Sequence, residues 1–187
     1  VQTGWGRIGV TDFGFQAYGI NPDVVVFAKG LANGIPIGGL IATDELASSI
    51  RSLSLSTFGG NPVSTTAALA NLNYIATHNL RENALAMGIY LKERLFELQD
   101  KHPTIGDVRG LGLMVGVELV HDRHTKEPAP DLLRRVQEEA KKRGLIIGRG
   151  GLHANTIRLC PPLIVTRSDI DAAVETLDGA FTDATES

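Results

Sequence analysis

The chain of 187 residues is predicted to be an α/β protein in its first part, followed by a smaller α+β unit. Three observations lead there. The β-branched run Val24-Val25-Val26 lies between Pro22 and Gly30, as a short buried strand does. Asn61-Pro62 opens a long helical stretch. Beyond residue 100, glycine-punctuated, strand-like runs take over from helical periodicity.

Taken in order, Asp23 to Phe27 reads as a fully buried strand, with Lys29 just past its end. Gly38 to Ala42 is a second apolar run, and Thr43 can cap a short helix reaching about Arg51. Asn61 can cap the next helix, to about His78, with Pro62 at its first position, where no N–H is needed. After Asn79 a further helix shows the stripe Ala84, Met87, Leu91, Leu95 and Leu98, and Pro103 stops it. The domain boundary is expected near residue 100, dividing 1–100 from 101–187. The second part continues with Val108-Arg109-Gly110-Leu111-Gly112, a strand from Leu113 to Leu119 and a charged, proline-containing loop from His121 to Pro130. A helix from Asp131 to Arg143 ends at Gly144, a candidate left-handed cap, and leads into a strand at Leu145 to Ile147. Thr156 to Leu159 is another strand. Ser168 with Asp171 resembles a capping box for a last helix that buries Ile170, Val174, Leu177 and Phe181.

With 43% apolar residues the chain can bury a core. Its 18 basic and 21 acidic residues give a net charge of −3, and the basic residues are scattered, so no nucleic-acid partner is indicated. No stretch approaches the roughly 18 apolar residues that span a bilayer. A single cysteine, Cys160, forms no intrachain disulfide and fits a reducing compartment, the cytoplasm or the mitochondrial matrix. Because Val1 is not a methionine and opens inside a loop, further sequence is expected upstream.

Gly4-Trp5-Gly6-Arg7-Ile8-Gly9 matches the dinucleotide fingerprint G-x-G-x-x-G, but its context does not. That fingerprint needs a strand before it, a helix opening within it and an acidic residue roughly 20 positions on. Only three residues precede Gly4, no helical stripe follows, and Asp23 is too close.

The lysine in Phe27-Ala28-Lys29-Gly30-Leu31-Ala32-Asn33-Gly34-Ile35-Pro36-Ile37-Gly38-Gly39 ends a strand expected to be buried, where desolvation lowers an amine's pKa and frees a nucleophile. A solvated lysine at a strand end is the alternative. Ser56-Thr57-Phe58-Gly59-Gly60-Asn61-Pro62 sets a hydroxyl and glycines before a helix N-terminus, which suits a phosphate or a plain cap. Arg158, in Thr156-Ile157-Arg158-Leu159, alternates with apolar neighbours and presents a planar fork suited to a carboxylate, or a solvent-facing strand position. His153, and the cluster His121-Asp122-Arg123-His124, read as surface loop residues rather than metal ligands.

In order and spacing these segments resemble the C-terminal half of the class-III aminotransferases, over Val1 to about Ala180. The resemblance implies fold type I: the later part of the large pyridoxal-phosphate-binding domain, then the small α+β C-terminal domain. It implies pyridoxal 5'-phosphate as cofactor, held by Lys29 as a Schiff base, with Lys29 also the base that moves the substrate proton. Val1 would pack on the cofactor ring and Gln2 would hydrogen-bond near its phenolic oxygen, unless both merely pack the loop. Thr57 would bind the cofactor phosphate of the other subunit of a homodimer, so that subunits share the active site. Arg158 would bind the substrate carboxylate. Gly148-Arg149-Gly150-Gly151-Leu152-His153 resembles the subgroup containing alanine–glyoxylate aminotransferase 2 and related phospho-lyases. Expected is transamination between an amino acid or amine and a keto acid such as glyoxylate or pyruvate. The alternatives are phospho-lyase or decarboxylase chemistry on the same cofactor, or a catalytically inert fragment. The family's aspartate for the pyridinium nitrogen, its same-subunit phosphate loop and its stacking aromatic precede the stretch matched here, so catalysis is expected to need that upstream half.

Overall fold

A computed structural model describes residues 1–186. Contacts divide the chain into two compact units, Val1–Glu82 and a second from Asn83 onward.

The first unit opens in consecutive turns. Gly4 N–H donates to Val1 O (2.9 Å) and Gly9 N–H to Gly6 O (3.0 Å), and a short 3₁₀ turn follows at Gly14–Tyr18. Among the described residues no α-helix opens at these glycines, which lie in consecutive turns, so the G-x-G-x-x-G letters lack the helix N-terminus that a dinucleotide site needs. Strands β1 (Val24–Phe27) and β2 (Gly39–Ala42) pair antiparallel, Val24 with Ala42 and Phe27 with Gly39. The full burial expected for β1 is not found. Its residues alternate exposed and half-buried, and Val26 is 67% accessible, because a sheet of two strands has no layer on its second face. Helix α1 (Asp44–Ser49) starts after Thr43 as expected, though the threonine side chain makes no cap bond. Helix α2 (Pro62–Thr77) begins as the sequence indicates: Asn61 Oδ1 accepts from Ser64 N–H at 3.0 Å, and Pro62 takes the first position. A small cluster holds this unit together, with Leu31, Ala32 and Ala68 buried and Trp5, Phe27, Ile37 and Leu72 packed against them.

Helix α3 (Leu80–Lys101) buries Ala84, Leu91, Leu95 and Leu98 in the core of the second unit. The contact division therefore falls at Glu82/Asn83, ahead of the boundary expected near residue 100, because the stripe that defines α3 faces the later residues. The second unit is α+β: a four-stranded antiparallel sheet in the order β3-β4-β6-β5, covered on one face by helices. Its strands are β3 (Ile105–Leu111), β4 (Met114–Leu119), β5 (Gly148–Gly150) and β6 (Thr156–Leu159). Helix α4 (Pro130–Lys142) contributes Leu132, Leu133, Val136 and Ala140, and α5 (Arg167–Glu186) contributes Ile170, Val174, Leu177 and Phe181, all buried. Phe181 is fully enclosed.

Two assignments move. The strand expected at Leu145–Ile147 lies at β5 instead, since Leu145 N–H is still wrapped onto Ala140 O (2.9 Å) at the end of α4 and the ladder with β6 begins only at Gly148. The capping pair of α5 is Thr166 and Asp169: Thr166 N–H donates to Asp169 Oδ2 (2.9 Å) and Asp169 N–H to Thr166 Oγ1 (3.3 Å). Asp171 is occupied elsewhere, accepting from Tyr90 Oη–H (2.7 Å) and Arg94 Nε–H (3.0 Å).

Helix α3 crosses the β3–β4 turn so closely that a Cβ on Gly88 would lie 2.2 Å from Gly112 O. That obstacle is backbone and cannot swing aside. Gly88→Ala is expected to lower the chain's unfolding free energy by at least about 2 kcal/mol, measured by denaturant titration, through overpacking.

On the surface between α3 and α5, Lys101 Nζ donates to Asp178 Oδ2 (2.7 Å) and His102 Nε2 lies 2.6 Å from Asp178 Oδ1. Lys101 first, and His102 second, hold the Asp178 carboxyl below the usual aspartate range. A depressed acid stabilises the fold above its unfolded pKa, and that stability is lost as pH falls through the lowered folded value. The stability difference between wild type and Asp178→Asn, at most about 1 kcal/mol for so exposed a pair, should therefore hold from neutral pH down to the ordinary aspartate range and vanish below it. Denaturation midpoints taken along that pH series measure it.

Candidate active site

Lys29 follows β1 after Ala28 and opens a 3₁₀ turn, Lys29–Ala32, with φ +58 in the left-handed region. For a residue with a Cβ this conformation costs roughly 1–2 kcal/mol, so something must hold it. Two things do. Leu31 and Ala32 are buried in the first-unit cluster, and the side chain of Asn71 on α2 donates from Nδ2 to Gly30 O (3.0 Å) and Leu31 O (2.9 Å). One α2 turn from the cap, Ser64 Oγ–H donates to Pro36 O (2.9 Å), fixing the far end of the same loop. The Lys29 side chain itself is exposed, so the desolvation expected at a buried strand end is not supplied by these residues. Its amine makes no ion pair or hydrogen bond among the described residues.

Neither Ser64 nor Asn71 lies in a chemistry-bearing motif. The signal that finds them is the oddity of α2: a helix whose inward positions, Ser64, Ala68 and Asn71, are small or polar, while Val63 and Leu69 point to solvent. An asparagine inside a helix lowers its stability unless the amide has partners elsewhere.

Thr57 is exposed in the turn before α2, where Gly59 N–H donates to Ser56 O and Asn61 N–H to Phe58 O, both at 3.3 Å. The capping duty falls to Asn61, which leaves the Thr57 hydroxyl unspent. Val1 and Gln2 are exposed, and the Val1 carbonyl accepts from Gly4 N–H. Lys29, Thr57, Val1 and Gln2 thus all belong to the first unit.

Arg158 belongs to the second unit. It occupies the middle of β6, directly opposite Gly116 of β4 and Gly148 of β5, so residues without side chains flank it on its own face of the sheet. Its guanidinium lies along Gly148, where an added Cβ would come within 3.3 Å of Nε. On the same face Arg109 is committed to two carboxylates, Asp107 Oδ2 at 2.7 Å and Glu118 Oε2 at 2.5 Å. Arg158 is exposed and pairs with none among the described residues, which leaves its fork open to an external anion.

The remaining loop candidates behave as solvated residues. Asp122 Oδ1 accepts from the N–H groups of Thr125 (2.7 Å) and His124 (2.9 Å), which hold its carboxyl below the usual range, and His121, His124 and His153 are exposed.

Comparison with known proteins places this geometry. The family "Aminotransferase class-III" matches residues 1–181. Alanine–glyoxylate aminotransferase 2 homolog 2, mitochondrial, of Arabidopsis thaliana is 48% identical over 95% of this chain, which covers 37% of that relative. Taurine–pyruvate aminotransferase of Bilophila wadsworthia is 41% identical over 97% of this chain, covering 43% of the relative. Among solved structures, a phospholyase from Arthrobacter in complex with phosphoethanolamine superposes with a TM-score of 0.93 at 34% identity, over 97% of this chain and 44% of that one. A Bacillus anthracis aminotransferase gives 0.89 at 37% identity, over 97% and 43%. The chain thus spans about two fifths of the relatives it matches. The expected α/β class, a fold type I fragment, is shown by these neighbours, and the chain belongs to the class-III aminotransferase family.

Proposed function

We propose that this chain supplies the lysine and the carboxylate-binding arginine of a pyridoxal-phosphate-dependent aminotransferase, moving an amino group between an amino acid or amine and a keto acid such as glyoxylate or pyruvate. The observation that carries the reading is Lys29: a primary amine with no hydrogen-bond or ion-pair partner among the described residues, on a turn held in a conformation its side chain disfavours. The residues present fit the cofactor. The Lys29 amine would take up its aldehyde carbon, and the Thr57 hydroxyl would donate to the phosphate of the partner subunit's cofactor in a homodimer with shared sites. Val1 would cover one face of the ring, and Gln2 would bond near its phenolic oxygen. When bound, the cofactor supplies an electron sink for the pair left as a proton leaves the substrate Cα. The Lys29 amine would take that proton as base and return it as acid. Arg158 holds the substrate carboxylate through two parallel N–H donors.

By the same resemblance residues 1–100 correspond to the later part of the large domain and 101–187 to the small one, with α3 belonging to the first by that resemblance and packing within the second compact unit. Catalysis requires the segments that relatives carry ahead of the counterpart of Val1, and a reducing compartment, cytoplasm or mitochondrial matrix, suits the exposed Cys160. A second reading, elimination from a phosphorylated amine, is favoured by the likeness to the Arthrobacter phospholyase. Ammonia and phosphate released from phosphoethanolamine with no keto acid present would establish it over transamination.

Borohydride reduction of the full gene product with pyridoxal phosphate should fix the added mass on Lys29; a label elsewhere, or none, sinks the reading. Lys29→Ala should lose both the label and turnover while folding normally. Arg158→Gln should raise KM for an amino acid donor about 10- to 100-fold, the size of a lost charge-assisted pair, and leave an amine donor without a carboxylate nearly unchanged.

A further inference from the structure

The amide of Asn71 points to a role that no motif assigns. Its Nδ2 has two hydrogens and meets two carbonyls, Gly30 O and Leu31 O, one and two residues beyond Lys29. Both neighbours are acceptors, so the amide has only one productive orientation. The backbone bonds within the turn are longer: Leu31 N–H to Ala28 O is 3.4 Å and Asn33 N–H to Gly30 O is 3.2 Å. The turn therefore owes its position less to itself than to a helix of 16 residues packed beside it. Ser64, seven positions earlier on the same α2 face, repeats the arrangement at Pro36 O. Lys29, between a flat strand end and this clamp, is left one backbone conformation, at φ +58.

We propose that Asn71 is a positioning residue for Lys29, clamping the turn from α2 so that the amine is presented in one direction. Without the clamp the turn relaxes, Lys29 leaves the left-handed region, and its amine samples several directions instead of one. This rests on Lys29 being the cofactor lysine, and the test separates the two claims. Asn71→Leu keeps the branched shape of the side chain, removes the donors and adds no charge; Asn71→Ser retains one donor as a milder variant should the first fail to fold. Val136→Ala, on α4 in the core of the second unit, removes buried packing outside the cluster that holds the turn and serves as control.

In the full gene product loaded with pyridoxal phosphate, Asn71→Leu should lower kcat about tenfold with KM within about twofold, since orientation rather than binding is lost. It should also move the pH midpoint of the cofactor's visible absorbance by about half a unit or more. In the cofactor-free protein, the acylation rate of Lys29 relative to the exposed Lys126 should change about threefold, and Asn71→Ser should fall between. Val136→Ala should lose thermal stability and leave all three readouts at wild-type values. Wild-type readouts in both Asn71 variants, or equal shifts in Val136→Ala, overturn the proposal. A changed Lys29 acylation rate, with no cofactor label on Lys29 in the wild type, would uphold Asn71 and remove the cofactor reading instead.

Discussion

The first unit depends on a helix face that is not hydrophobic in the ordinary sense. Helix α2 presents Ser64, Ala68 and Asn71 inward, and two of the three act by donating hydrogen bonds to carbonyls of the loop that follows β1. Small residues let the loop approach, and the donors satisfy carbonyls that a tight turn cannot pair internally. Each such bond contributes on the order of 1 kcal/mol net, similar to the cost of the left-handed residue it supports. The arrangement is therefore balanced rather than strongly stabilising, and its value lies in direction.

The second unit is built differently. Its core is a continuous apolar cluster between one face of an antiparallel sheet and helices α3, α4 and α5, with Phe181, Leu95, Leu133 and Ile157 fully buried. That rigidity serves the other face. There Arg109 is neutralised by Asp107 and Glu118, whereas Arg158 lies between two glycines and no carboxylate among the described residues holds it. Two arginines on one sheet face thus differ in their partners among the described residues without any difference in residue type.

Much of this was legible in the sequence because it is local. The Asn61–Pro62 start of α2, the stripe of α3, the end of α4 before Gly144 and the span of β6 follow from caps and periodicity within a few residues. Lys29 after a strand, Thr57 before a helix and Arg158 within a strand lie on the elements that spacing indicates. What spacing misses is set by partners. β5 is Gly-Arg-Gly, with no apolar alternation of its own, and exists because β6 pairs with it. The exposure of β1 depends on how many layers surround it, which no run of valines encodes. The clamp on the Lys29 loop joins residues 28, 40 and 41 positions apart, beyond the reach of any helical or strand period. The capping pair of α5 was displaced by two residues because Thr166 and Ser168 are both plausible caps, and only the commitment of Asp171 to Tyr90 and Arg94 decides between them.

The positive φ of Lys29 sets the demands of chemistry and folding against each other. Glycine is the residue that this backbone position prefers, and its arrival would relieve the turn of strain while deleting the amine. Relief of the backbone and loss of the amine would thus come in a single exchange.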